Sequence, residues 1–213
     1  MDASTWLSLA GICLMGAASP GPSLGVVLAS TVGGGRQAGV ATSIGHGVGV
    51  GLYATLAAAG LAVVITTAPS VFLGLQAAGA AFLLWLGVQS LRPPRPVAGA
   101  EPTGGATPGR SVSRAFRRGF LVSFLNPKIA VFFLALFSQF VDPQATLLEK
   151  GAMGLLAGAI DTTWYVIVAL VLSGTGLAGW LETRARRFEL GMGLVLVLLG
   201  LTMLGGLVAD IVA

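Results

Sequence analysis

Long apolar runs, interrupted by short polar or basic stretches, organise this chain from end to end. Trp6 to about Leu28 contains no charged residue and is long enough to cross a hydrocarbon core of about 30 Å. Gly33-Gly34-Gly35-Arg36-Gln37 then reads as a flexible turn. A second run, from about Gly39 to Ile65, ends in the uncharged turn Thr66-Thr67-Ala68-Pro69-Ser70, and a third covers about Val71 to Leu91. Arg92 to Gly109 holds five prolines and four glycines, the composition of a linker without a core of its own. Beyond it, runs cover about Arg118 to Val141, Gly151 to Gly174 and Phe188 to Val208. The pattern predicts an all-α integral membrane protein of six transmembrane helices in one domain over 1–213. Residues 1–91 form a first three-helix repeat, 92–117 a cytoplasmic linker and 118–213 a second three-helix repeat. Three is an odd number of crossings, so the two repeats are expected to be inverted relative to each other.

Two of these runs carry helix breakers near their middles. Ser19-Pro20-Gly21-Pro22 interrupts the first and Asn126-Pro127-Lys128 the fourth. Each proline removes an amide donor and clashes with the preceding turn. In hydrocarbon, the freed backbone groups are tolerated only where protein or a water-filled cavity satisfies them. Interrupted spans at matching places in two halves point to a transporter binding site. Glycines repeat in register as well: Gly45/Gly49 and Gly47/Gly51 in the second run, Gly154/Gly158 in the fifth. This small-xxx-small spacing lets helices approach closely.

Charge changes the picture mainly by its position. The chain is 55% hydrophobic and 9% charged, against roughly a quarter charged in soluble domains. A net charge of +4 resembles a nucleic-acid footprint until the basic residues are placed. Arg36 lies in the first loop; Arg92, Arg95, Arg110, Arg114, Arg117 and Arg118 lie in the third; Arg184, Arg186 and Arg187 lie in the fifth. The opposite side has only Lys150, and Lys128 falls within a run. Basic loops stay in the cytoplasm, so both termini are expected outside, in the periplasm, and no nucleic-acid partner is expected. Met1 to Thr5 has no basic residue, unlike the start of a secretory signal, so the first run is read as a retained span. With one cysteine, Cys13, and one histidine, His46, neither an internal disulfide nor a metal site rich in soft ligands is expected, and no cofactor is called for.

The candidate chemistry sits at the breaks and at the few ionisable residues inside the runs. A break at Ser19, Pro20, Gly21 and Pro22 exposes amide donors at the start of the following half-helix, suited to a carboxylate; the bland alternative is a kink that shapes packing. Lys128 lies some ten residues into its run, where burying its charge costs about 2.5–3.5 kcal/mol. It either faces inward to a substrate carboxylate or an acid, or snorkels to the cytoplasmic face. Asn126 beside it offers both donors and acceptors. Asp161 is the one acid near the middle of a run; set between apolar burial and Lys128, it can exchange protons during transport or form a static ion pair. Trp164 and Tyr165, three and four residues on, share its helical face and either shape a pocket or pack. His46 reads as a packed or cytoplasm-facing histidine, or as a proton relay. Gly21-Pro22-Ser23-Leu24-Gly25 formally matches G-x-S-x-G, which raises an intramembrane serine hydrolase with Ser23 and His46. That motif normally sits in a strand–turn–helix, which an all-helical chain lacks.

Ala18-Ser19-Pro20-Gly21-Pro22, the glycines around Gly45 and Gly49, Asn126-Pro127-Lys128, and Asp161 with Trp164-Tyr165 together resemble the LysE/RhtB amino-acid exporters. The likeness covers nearly the whole chain; the central linker is longer than usual for the family. The resemblance implies export of amino acids or close derivatives across a bacterial inner membrane, driven by the proton gradient. It implies a secondary transporter, not an enzyme. On this reading Ser19, Pro20, Gly21, Pro22, Ser23, Asn126, Pro127, Lys128, Trp164 and Tyr165 bind the substrate, and Asp161 and His46 couple protons. One acid and one base fit a zwitterion without extra side-chain charge, so a neutral, threonine- or homoserine-like substrate is expected. The partners are then the amino acid, protons and the lipid bilayer, with a homodimer left open. A metal-ion exporter of similar topology and a membrane scaffold without substrate are the remaining alternatives.

Overall fold

The structure, a computed structural model, describes residues 1–19, 22–92, 112–142, 144–173, 190–191, 193–198 and 200–208. The described residues are helical apart from short connections, and none forms a strand. The helices are α1 (Ala3–Ala18), α2 (Pro22–Thr67), α3 (Pro69–Leu91), α4 (Val112–Phe124), α5 (Pro127–Phe140) and α6 (Leu147–Ser173). An apolar α7 (Gly193–Val208) follows. Local chemistry explains several of the helix starts. Asp2 caps α1 by accepting a hydrogen bond from the Thr5 amide at 2.8 Å, and Thr5 holds the Asp2 carboxyl down at about 2. Thr146 and Glu149 form a reciprocal box at the start of α6, with the Thr146 amide donating to Glu149 Oε2 at 2.8 Å and the Glu149 amide donating to Thr146 Oγ1 at 3.2 Å. The chain's terminal amine lies 3.8 Å from Glu149 Oε1, so α1 and α6 begin side by side.

The glycine-rich turn expected at 33–37 is tighter than a loop. Helix α2 runs through it with one non-helical residue, Gly35, at φ 75° and ψ 179°, a region open essentially to glycine alone. The arms before and after Gly35 fold back on each other: a Cβ placed on Gly39 would sit 3.1 Å from Thr31 Cβ, although residues eight apart in a straight helix are separated by about 12 Å. The second half begins earlier than its apolar run suggests. Helix α4 starts at Val112, ahead of the expected start near Arg118. Its small residues Ala115, Gly119 and Ser123 recur every fourth position and are buried, while Arg114 and Arg117 point outward and are exposed. The linker's remaining residues, the basic loop 182–187 and the end 209–213 lie outside the described residues.

Three helices among the described residues are long and apolar enough to cross a membrane: Ser23–Thr67, Ser70–Gln89 and Leu147–Val171. The pair α4 and α5, bent by 56° at its break, makes a fourth if counted as one span. Ile44, Val48, Leu52 and Leu56 form an exposed apolar stripe along α2, spaced every four residues on one face. Water would penalise such a stripe; acyl chains do not. This is a multi-pass membrane protein.

The centre of the assembly is the second arm of α2, sandwiched between α4 and α6. Its alternating glycines serve the two neighbours separately. Gly45 and Gly49 admit α4: a Cβ on Gly45 would collide with the Phe116 carbonyl, and one on Gly49 would lie 2.9 Å from the Phe120 carbonyl oxygen. Gly47 and Gly51 admit α6: a Cβ on Gly47 would lie 2.6 Å from the Gly158 carbonyl oxygen, and one on Gly154 2.6 Å from that of Gly51. Backbone-to-backbone approach of this kind is how helices associate where lipid offers no hydrophobic drive. Outside this triplet, α3 packs on α5 through Gly79 against Ala135 and on α7 through Gly87 and Gly200. A buried cluster including Leu9, Val50, Leu61, Leu83, Phe133, Leu136, Phe137 and Met153 fills the space between.

Candidate functional site

The two helix breaks meet. α1 ends at Ala18 with Ser19 in extended geometry at its C-cap, and α5 starts after Asn126 with Pro127 in its first turn. Across the gap, Lys128 Nζ donates a hydrogen bond to Ser19 Oγ at 3.0 Å. The Asn126 side chain does part of its work locally: its Oδ1 accepts from the Lys128 amide at 2.9 Å, capping the new half-helix. Replacing Asn126 with alanine should therefore destabilise the protein by about 0.5–2 kcal/mol. The expected reading is a lower melting temperature in detergent that Asn126→Ser largely restores.

Above this junction lies a chamber of about 70 Å³, several times the ~10–15 Å³ that holds one water. Ser19, Ser23, His46, Asn126, Lys128, Asp161 and Tyr165 line its polar part; Cys13, Gly16, Ala17, Val50, Ile129, Phe132, Phe133, Ala157 and Leu196 line the rest. Five helices thus contribute walls, α1, α2, α5, α6 and α7, and Asn126 adds the link between α4 and α5. The phenyl ring of Phe132 lies over Gly16, where a Cβ would sit 2.7 Å from the ring edge.

The acid of the chamber is paired with the histidine and not with the lysine. His46 Nδ1 and Asp161 Oδ2 are 2.6 Å apart, with the two side chains 2% and 7% exposed. The Tyr165 ring stands edge-on to the imidazole, with centroids 5.0 Å apart and planes at 73°. On its other side His46 Nε2 is buried and has no hydrogen-bond partner. Lys128 and Asp161 are not within ion-pair distance, and the lysine's partner is Ser19.

Of the residues picked from the sequence, Ser19, Ser23, His46, Asn126, Lys128, Asp161 and Tyr165 come together on this one chamber. Trp164 does not line it: it packs with Leu24 against Val27, Tyr165 and Ala169. Pro20 and Gly21 lie outside the described residues. Pro22 opens α2 and Pro127 opens α5, in keeping with proline's tolerance for a first helical turn. The apolar wall, above all Cys13, Phe132 and Leu196, was not singled out from the sequence. Cys13, Gly16 and Ala17 do carry a faint signal, being small residues at i, i+3 and i+4 that lead up to the first break. Among the described residues no group of three or more His, Cys, Asp or Glu side chains is arranged to hold a metal ion.

The LysE type translocator family model matches residues 14–206 of this chain. A leucine efflux protein of Enterobacter sp. (strain 638) is 31% identical over 177 residues, covering 83% of this chain and 82% of that protein. A homoserine/homoserine lactone efflux protein of Salmonella typhimurium is 31% identical over 168 residues, 77% of each chain. A leucine efflux protein of Klebsiella pneumoniae is 30% identical over 177 residues, with 83% and 82% covered. No solved structure matches the chain. A match running from the first broken helix to the last apolar one, with the two breaks and the paired glycines inside it, makes this chain a member of the LysE type translocator family.

Proposed function

We propose that this protein exports neutral amino acids across a bacterial inner membrane, driven by the proton gradient. The observation that carries the reading is the hydrogen bond between Lys128 and Ser19. It joins two broken helices at a buried chamber with a cation at one point and the His46–Asp161 pair at another. A zwitterion needs that complement. Its carboxylate would meet Lys128, Ser19 and the first-turn amides of α2, whose dipole also favours an anion. Its side chain would lie against Phe132, Phe133, Ile129 and Leu196. Among the described residues no second acid lines the chamber, so a lysine-like side chain would bring an uncompensated charge into it. The names carried by the relatives, leucine and homoserine efflux, agree with a neutral substrate.

Six spans in two inverted three-helix repeats, with both termini periplasmic, remain the topology of this reading. Each half offers a broken helix (α1 with the start of α2; α4 with α5), then a long glycine-bearing helix (the rest of α2; α6), then a third helix (α3; α7). The two long helices pack on each other through Gly47, Gly51, Gly154 and Gly158, as equivalent elements about a pseudo-twofold axis would. Rocking one half against the other would expose the chamber to each side in turn.

The rival hydrolase reading has one observation in its favour. Ser23, His46 and Asp161 line a single chamber, and His46 engages the acid through Nδ1 as the base of a hydrolytic triad does. A triad also needs the serine hydroxyl on Nε2, and His46 Nε2 makes no hydrogen bond. Counterflow of labelled amino acids in proteoliposomes tests the proposal. Leucine, homoserine and threonine are expected to exchange, with lysine and glutamate at least tenfold slower. An absence of exchange for every amino acid would refute the exporter, and loss of a hydrolytic activity in Ser23→Ala would support the rival.

A further inference from the structure

We infer that His46 Nε2 is the single atom on which a proton and the substrate's ammonium group compete, so that one proton enters for each amino acid exported. The inference rests on the exporter reading above and goes further by naming the atom, the role of Asp161 and the stoichiometry.

The argument starts from an orphan. His46 is 2% exposed, and its Nε2 is the one buried side-chain nitrogen or oxygen, among the described residues, with no hydrogen-bond partner. Buried polar atoms are nearly always satisfied, and each exception asks for an explanation. The imidazole lines the chamber, so a guest there can supply the missing partner. Asp161 decides what kind of guest. Nδ1 lies 2.6 Å from the carboxylate oxygen, and with Asp161 ionised the hydrogen sits on Nδ1, which donates it to Asp161. The neutral ring then presents a lone pair at Nε2. A buried lone pair on a ring that lines the chamber can accept a cationic donor, and this transporter meets two: a proton and the substrate's ammonium group. Each brings one positive charge toward the one negative charge of Asp161, and the lone pair can take only one of them.

Among the described residues, the other groups that line the chamber or pack on His46 do not offer a second proton site of this kind. From α6 come Asp161 and Tyr165, from α1 Cys13, and from α5 Lys128, which hydrogen-bonds Ser19. Helix α7 contributes apolar Leu196. Helix α4 meets the His46 backbone through Gly119 and keeps Arg114 and Arg117 exposed. Asp161 therefore acts through the imidazole as a positioning residue, while His46 touches the substrate.

The cycle follows. Facing outward, the ammonium leaves Nε2 and a periplasmic proton takes its place. Facing inward, that proton passes to the cytoplasm and the lone pair receives the next ammonium. A neutral zwitterion moves out and one positive charge moves in, so a membrane potential negative inside speeds export.

Proteoliposomes with an entrapped pH dye test this, using the labelled amino acid that wild type exchanges fastest. One proton should move per amino acid under net flux. In weakly buffered detergent solution on the acid side of the binding profile, binding should release one proton per amino acid, with apparent affinity falling about tenfold per unit drop in pH. His46→Gln keeps an acceptor but cannot hold the proton; it should exchange measurably but more weakly, move no protons and bind with a flat pH profile. Asp161→Asn should shift that profile and still move one proton per amino acid. A wild-type ratio of zero or two, or a His46→Gln protein that still moves one proton per amino acid, overturns the inference. If that variant fails to fold, the proton release of wild type still decides, since binding without release overturns the inference too. Wild type that exchanges no amino acid refutes the exporter reading itself, a different outcome from exchange without protons.

Discussion

Lys128→Met should reduce amino-acid efflux by two to three orders of magnitude while leaving a protein that inserts and extracts as a folded species. The size of the effect follows from what the lysine is expected to face. Breaking a buried ion pair by removing one partner costs about 3–5 kcal/mol, because the other charge is left buried alone. Here that stranded charge would be the substrate carboxylate. Folding should respond in the opposite sense. A lysine at the membrane centre costs about 2.5–3.5 kcal/mol on insertion scales, and methionine removes that penalty while filling much of the same volume. The charged hydrogen bond lost to Ser19 offsets about 1.5–3 kcal/mol of the gain. Efflux and stability should therefore separate: counterflow collapses, and the melting temperature in detergent holds or rises. Lys128→Arg is not expected to rescue. A planar guanidinium is larger than an ammonium and points its donors in fixed directions. Normal counterflow in Lys128→Met would remove the lysine from the site.

What the sequence disclosed, it disclosed through chemistry that acts locally. Proline removes a donor wherever it stands, so the breaks at Ser19–Pro22 and Asn126–Lys128 could be placed without coordinates. Glycine spacing likewise marked α2 and α6 as helices built for close approach. The pairing of His46 with Asp161 was not legible, because it depends on the register in which α2 lies against α6, and Gly47, Gly51, Gly154 and Gly158 set that register only in three dimensions. The same holds for Lys128, whose partner turned out to be Ser19. Trp164 and Tyr165 show how coarse a shared face is. At about 100° per residue, positions three and four beyond Asp161 fall on opposite sides of it. Tyr165 turns into the chamber, and Trp164 packs outside it on the small cluster around Val27 and Ala169. The start of α4 escaped an apolar-run reading for another reason: its arginines lower its mean hydropathy, and its contact with α2 uses alanine, glycine and serine.

Gly119→Ala should lower stability by about 1–3 kcal/mol, the usual cost of overpacking a well-filled interior, and should impair efflux with it. The added methyl group would meet the Thr42 carbonyl directly and lie 3.0 Å from the His46 amide nitrogen. Both neighbours are backbone of a helix, so neither can turn aside as a side chain would. Relief then requires α4 to retreat from α2. Retreat has consequences beyond local packing. Thr42 Oγ1 spans the same contact to the Ala115 carbonyl at 3.3 Å. Helix α4 also joins α5 through Leu125 and Asn126, so moving α4 moves the cap that positions Lys128. A matched control separates this from a general effect of alanine. Gly60 lies in the same long helix as Thr42, and nothing stands within 4 Å of where its Cβ would be. Gly60→Ala should therefore stabilise the helix by up to about 1 kcal/mol, from helix propensity alone. Thermal unfolding of the two variants in one detergent is expected to move in opposite directions. If both move upward, the α2–α4 contact is looser than the carbonyl-to-glycine approach implies. The chamber would then not depend on that contact for its shape.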